Sequence, residues 1–242
     1  MPESLKDKVV LIVGASSGIG RETAILFAQE GAKVMASARR EERLRELRQD
    51  LAQRGHSIEI APADASDPAQ MEKLNAHTTS IFGTPDILIY ASGTNTPYRA
   101  LQNLTPPVWN ELIAVNLNGA YYATSAVLPA MRDRKSGHLI YVSSISGILP
   151  DVSGAAYQAS KRGMVGLAHA IRVEEKEHGI RTCVICPGLV ETEILEKRPV
   201  KPDAATLAKA LQPEDVAETI LAIAKLPQRA AVPELQLLPT YL

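Results

Sequence analysis

Cysteine is scarce in this chain: 242 residues carry two, Cys183 and Cys186. No set of cross-links can hold such a protein together, but the length is enough for one α/β sheet to bury a large core without staples. The two thiols are spaced Cys-x-x-Cys, which can signal redox chemistry or half a zinc site. They lie in IRTCVIC (180–186), a β-branched run that reads as a buried strand. Residues three apart on a strand point to opposite faces, so the sulfurs cannot meet. No second cysteine pair exists, and the five histidines (56, 77, 138, 169 and 178) show no ligand spacing. The thiols read as structural, the histidines as surface or solvated residues, and no metal is expected.

A basic excess is also missing. Lys plus Arg number 26 against 27 Asp plus Glu, a net charge of -1, which argues against nucleic acid or a membrane surface as partner. No apolar run approaches the roughly 20 residues of a membrane span. The opening MPESLKDKVVLIVGA is charged and only briefly apolar, unlike a secretory signal. The expected compartment is the cytoplasm. At 45% hydrophobic and 22% charged, the composition is that of a folded globular chain, not a disordered one.

What the sequence does have is alternation. Short apolar runs at 8–13, 32–38, 57–61, 86–91, 137–144, 180–186 and 234–239 read as strands. Between them, 18–30, 41–54, 67–81, 105–132, 154–178 and a segment opening at Pro213 read as helices. Asp67-Pro68 places a cap before a first-turn proline, and Leu44, Leu47 and Leu51 form an apolar stripe. Near-continuously apolar strands alternating with helices predict an α/β fold: a single doubly wound, Rossmann-type, seven-stranded parallel sheet with helices on both faces. The whole chain, 1–242, reads as one domain, with its ligand at the carboxyl ends of the strands. The irregular stretch 188–212, with Pro199 and Pro202, reads as a mobile substrate lid at that edge.

Three motifs carry chemistry. Gly14-Ala15-Ser16-Ser17-Gly18-Ile19-Gly20 sits between the first strand and first helix. Its glycines let backbone N–H groups approach a pyrophosphate at a helix N-terminus. Tyr157-Gln158-Ala159-Ser160-Lys161 puts a phenol and an ammonium on one helix face. A free phenol titrates near about 10, and a neighbouring ammonium is expected to pull that value down toward a useful acid. Ser143-Ser144 follows the fifth strand, where a hydroxyl could donate to a carbonyl oxygen as charge develops on it.

Taken together and in this order, the motifs resemble the short-chain dehydrogenase/reductase family, and the resemblance runs from about Lys6 to the last strand. It implies Tyr157 as proton donor or acceptor and Ser144 as the group orienting the carbonyl. It implies Lys161 as the tyrosine's activator and a ribose contact, and Asn116 (in Val115-Asn116-Leu117) as holder of a proton-relaying water. Pro187, Gly188, Val190 and Thr192 would cradle a nicotinamide, Asp64 would meet the adenine, and Gly93 would let the cofactor pass. Departures exist: Val13 stands where the family has Thr, and Tyr90-Ala91-Ser92-Gly93 replaces Asn-Asn-Ala-Gly. The family is commonly dimeric or tetrameric. A homodimer or homotetramer would pack segments 105–132 and 154–178 through small residues such as Gly119, Ala120, Ala123, Gly163, Gly166 and Ala170.

The second strand ends Ala36-Ser37-Ala38-Arg39-Arg40. An acidic residue there would grip a ribose 2′-hydroxyl; a guanidinium at Arg39 instead suits a 2′-phosphate. NADP (NADPH) is therefore expected over NAD, with Arg40 merely opening the charged helix. Residues facing a small-molecule substrate would come from Thr94 and Asn95, 145–152 and 189–195. No obvious anchor for an acidic substrate stands in that set, although Glu191, Glu193 and Lys197 are near. The ending Pro233-Glu234-Leu235-Gln236-Leu237-Leu238-Pro239-Thr240 resembles NADP-linked family members acting on small hydroxy acids and alcohols. The expected function is hydride transfer between nicotinamide and the carbonyl or secondary alcohol of a ketone, aldehyde or hydroxy acid. The alternatives are a 3-oxoacyl-(acyl-carrier-protein) reductase and a non-catalytic dinucleotide sensor.

Overall fold

Successive residues of the first strand, β1 (Val9–Val13), divide between two cores. Val10 and Ile12 pack into one, Leu11 and Val13 into the other. That period of two follows from the pleat and requires cover on both faces. A computed structural model describes residues 3–241, and they meet the requirement with one parallel sheet. Its further strands are β2 (Lys33–Ala38), β3 (Glu59–Pro62), β4 (Ile87–Tyr90), β5 (Gly137–Val142), β6 (Ile180–Pro187) and β7 (Glu234–Leu237), in the order β3-β2-β1-β4-β5-β6-β7. Three helices supply side chains to the first core: α1 (Gly18–Gln29), α2 (Glu41–Gln53) with its leucine stripe, and α8 (Pro213–Ala224). Three others serve the second: α3 (Pro68–Phe82), α5 (Gly119–Arg134) and α6 (Ala155–Glu175). The caps are as the sequence suggests. The Asp67 carboxylate accepts the N–H groups of Ala69 and Gln70, and Asp215 accepts the N–H of Gln212 at the start of α8.

Cys183 and Cys186 are free, fully buried and in opposite cores, as strand geometry requires. Burial pushes both thiols up, to about 12 and about 11.

Three expectations need correction. The segment 105–132 is not one helix. It breaks into α4 (Pro106–Ile113), a π-helical turn at Ala114–Asn118, and α5. The buried Tyr90 hydroxyl reaches across from β4 and donates to the carbonyl of Val115 inside that turn. Gly119 makes this possible: a Cβ there would collide with the Tyr90 hydroxyl and lie 2.8 Å from the Ala65 carbonyl oxygen. Secondly, Gly119, Ala120 and Ala123 are buried against the chain's own sheet, so they are not free for another subunit. Thirdly, His138 is not solvated. It sits in β5 with 3% exposure, and burial beside Arg181 pushes its pKa down to about 3.

The stretch 188–212 holds a 3-10 turn (Glu193–Lys197) and the short α7 (Ala204–Leu207). It is pinned at its base, where Val190 bridges Leu211. Among the described residues, no helix is long and apolar enough to cross a membrane.

Candidate active site

The loops that leave β1 to β6 at their carboxyl ends surround one cleft of about 430 Å³. Its nucleotide end is built on the glycine turn. Gly14 holds φ +101, and a Cβ there would lie 2.5 Å from the Ser92 nitrogen, so the turn packs hard against the chain leaving β4. Gly18 holds φ +54 and opens α1. The cap residue Ser17 is extended and makes no side-chain cap, and the first turn has no acidic residue. Its N–H groups are therefore left for an anion, at the end of the helix where the dipole favours one. Ser16, Ser17, Gly18 and Ile19 line the cleft. Gly20 does not; its missing side chain lets the helix close on the Gly14 carbonyl.

Both arginines after β2 face this end. Arg39 is 61% exposed, with its guanidinium 4.0 Å from the Asp64 carboxylate. Asp64 itself accepts the Ser66 N–H at 2.9 Å and the Ser66 hydroxyl at 2.7 Å. Arg40 does more than open α2. It donates to the hydroxyls of Ser16 at 3.0 Å and Ser17 at 2.7 Å, and pairs with Glu193 at 2.7 Å. Arg43 pairs with the same carboxylate. The hydrogen bonds from Arg40, then Arg43, hold Glu193 below the usual carboxylate range. The turn after β6 is thereby tied to α2 across the mouth of the glycine turn.

The other end is built on α6. Tyr157 and Lys161 stand one helical turn apart, both lining the cleft, with the Lys161 nitrogen 5.7 Å from the centre of the phenol ring. Lys161 is 3% exposed and donates to the Val142 carbonyl at 2.9 Å. Gly93 lets the chain after β4 pass close to it: a Cβ there would lie 3.4 Å from that nitrogen. The expected lowering of the tyrosine pKa by this ammonium is absent. Burial dominates and pushes the phenol up to about 12. Hydrogen bonding with Ser144 and the charges of Arg99 and Arg198 lower it, while Asp151 raises it. Burial likewise pushes Lys161 down to about 8. Lys161 is buried and Tyr157 half-buried, so desolvation outweighs their mutual effect.

Ser144 belongs to a hydroxyl chain. Its Oγ donates to Ser146 Oγ at 3.1 Å, and Ser146 donates to the Asp151 carboxylate. Ser153 binds that carboxylate through its N–H at 2.9 Å and its hydroxyl at 2.8 Å. The Asn116 side chain is fully buried behind the cleft wall. Oδ1 accepts the Thr94 N–H at 2.7 Å, and Nδ2 donates to the Thr94 carbonyl and to Ser160 Oγ, each at 3.0 Å. It clamps the loop after β4 to α6. Pro187, Gly188, Val190 and Thr192 line the cleft between the two ends, and the Thr192 methyl would meet a Gly18 Cβ at 3.1 Å.

Two charged wall residues escaped the sequence reading, Arg99 and Arg198, and so did Arg40's contact with the turn; Asp151 lies in the 145–152 segment expected to face the substrate. Arg40 adjoins Arg39 and was within reach of the same argument. Nothing in a single sequence separates Arg99 from an ordinary surface arginine.

A parallel sheet in this order, with a glycine turn and a helix N-terminus at its carboxyl edge, defines a Rossmann-type dinucleotide-binding protein. Residues 8–203 match the short chain dehydrogenase family, and the chain belongs to it. It is an oxidoreductase of that type. It is 36% identical to an uncharacterized oxidoreductase of Staphylococcus saprophyticus over 98% of each chain. Among solved structures it is similar to an alcohol dehydrogenase from the archaeon Thermococcus sibiricus complexed with 5-hydroxy-NADP, with TM-score 0.87, 27% identity and 97% of each chain covered. It is also similar to a closed form of serine dehydrogenase complexed with NADP+, with TM-score 0.85, 32% identity and coverage of 95% of this chain and 94% of the other.

Proposed function

We propose that the protein is an NADP(H)-dependent carbonyl reductase or alcohol dehydrogenase acting on a small ketone, aldehyde or hydroxy acid. The observation that carries this reading is a single cleft with two complementary ends: a buried Lys161 with half-buried Tyr157 and Ser144 on one wall, and an uncapped helix N-terminus flanked by Arg39 and Arg40 on the other. When bound, the nicotinamide would supply or accept the hydride. The uncapped N–H groups of α1 suit its pyrophosphate, and two guanidiniums suit a 2′-phosphate better than a bare ribose. Asp64 would meet the adenine, and the segment Pro187–Thr192 the nicotinamide. NADP in two of the similar structures supports the same choice.

Tyr157 is the proton donor in reduction. With its pKa pushed up to about 12, the phenol keeps its proton at neutral pH, the form a reductase needs. Ser144 favours the phenolate and can donate to the substrate oxygen as charge builds there. Lys161, which donates to Val142 and lines the cleft, would take up the ribose. Asn116 acts as a positioning residue through Thr94 and Ser160. The segment 188–212 acts as the substrate lid of a one-domain cytoplasmic enzyme. Assembly as a homodimer or homotetramer would cover the exposed Trp109, Tyr121 and Val173.

The test is a panel of aldehydes, ketones and oxo acids with NADPH and NADH, followed by loss of nicotinamide absorbance. At least one carbonyl should be reduced, with kcat/KM at least about 10-fold higher for NADPH, the value of one charge-assisted bond. Reduction with NADH preferred would overturn the cofactor choice, and silence across the panel would overturn the reaction.

A further inference from the structure

The substrate end of the cleft is more cationic than its sequence neighbours suggest. Arg99 comes from the loop after β4, and Lys197 and Arg198 from the turn after β6. The two segments are tied together: Lys197 donates to Thr94 Oγ1 at 2.7 Å, and Arg99 donates to the Lys197 carbonyl at 3.4 Å and the Thr96 carbonyl at 3.1 Å. Among the described residues, none of the three cations has a carboxylate within ion-pairing distance, and the Arg198 guanidinium donates to no protein acceptor.

The nearby carboxylates are occupied elsewhere. Glu193 is held by Arg40 and Arg43, Glu196 by Lys201, and Glu191 accepts the Gln212 amide at 3.1 Å. Asp151 is the one acid on this wall, and its oxygens are taken by Ser146 and Ser153. Three positive charges thus face one hydrogen-bonded negative charge beside Tyr157. The half-buried guanidiniums of Arg99 and Arg198, without a carboxylate partner, and the exposed Lys197 beside them favour an anionic ligand. A guanidinium with its fork unused matches the two oxygens of a carboxylate.

We propose that this end of the cleft is a carboxylate seat, in which Arg198 and Arg99, with Lys197, hold the acid group of a short oxo or hydroxy acid whose reacting carbon faces Tyr157 and Ser144. In reduction, the carbonyl carbon gains a hydride from NADPH and its oxygen a proton, giving a hydroxy acid and NADP+. That reaction rests on the reading above; the seat does not.

The test separates the two. Acetoacetate and methyl acetoacetate differ in the charge but share the ketone, and neither can react with protein holding NADP+. Calorimetric titration of that complex should show the acid binding at least about 10-fold tighter than the ester, as loss of one charge-assisted bond would give. In the Arg99→Gln/Arg198→Gln protein the ratio should fall close to one, and Arg198→Lys alone should keep part of it. Equal binding of acid and ester in the wild-type complex would overturn the seat, as would a ratio that survives both substitutions. Inorganic phosphate binding as tightly as acetoacetate would replace a carboxylate seat by a phosphate one. If the acid binds as expected but NADPH does not reduce it, the seat stands and the reductase reading falls.

Discussion

The two ends of the cleft are built by opposite means. The nucleotide end is made from one short run of backbone, residues 14–20, and from side chains that remain half in water, such as Arg39 and the Arg40–Glu193 pair. Charges there are screened, and each pairing contributes little to stability. The catalytic end is made from side chains contributed by separate segments, and desolvation sets the protonation of its buried Lys161 and half-buried Tyr157. A ligand can therefore be gripped at one end by adding charges and handled at the other by removing water. Changes at one end should leave the other largely intact.

The sharpest break in that independence, if it fails, would come from Tyr157→Phe. Loss of the hydroxyl should lower kcat by about 100-fold or more, while NADPH affinity, measured by fluorescence titration, stays within about threefold because the glycine turn is untouched. A comparable loss of affinity would mean the ends are coupled. The converse change is Arg39→Asp combined with Arg40→Gln. It should reduce the ratio of kcat/KM for NADPH over NADH by about 10- to 100-fold and leave kcat with saturating cofactor nearly unchanged. An unaltered ratio would remove both arginines from 2′-phosphate recognition.

The smallest effect concerns stability. Lys161 has a folded-state pKa pushed from 10.5 down to about 8 by burial. Between those values the unfolded chain binds more protons than the folded one, so stability rises with pH through that window. At neutral pH the buried ammonium is a penalty on the order of 3 kcal/mol. Lys161→Met removes the penalty together with the bond to Val142. Relative to wild type, its Tm should be most favourable near pH 7 and fall back by several degrees between pH 8 and 10.5. A Tm difference that does not change with pH would show that the ammonium is solvated in the folded protein.

The same contrast governs how much was legible in advance. The parallel sheet, its helices and the glycine turn follow from periodicity and spacing, since each is a local pattern whose meaning does not depend on distant residues. Tyr157 and Lys161 share a face by helical spacing alone. Their protonation did not follow, because it depends on how deeply α6 is covered, which no residue of α6 records. The π-turn at 114–118 was read as continuous helix because its cause lies in Tyr90, two elements earlier. Arg99, Asp151 and Arg198 meet at the substrate end only through the winding of the chain. Asn116 was identified on its motif, but the bonds to Thr94 and Ser160 by which it clamps the loop after β4 to α6 were not legible there, since they join distant segments.

Cys183 and Cys186 occupy opposite cores, and neither sulfur is reachable while helices cover the sheet. A thiol-modifying reagent added during unfolding would therefore find two built-in clocks. Alkylation at 183 times the departure of α1, α2 and α8, and alkylation at 186 that of α3, α5 and α6. The order in which they are struck would tell which side of the molecule opens first, without introducing any foreign label.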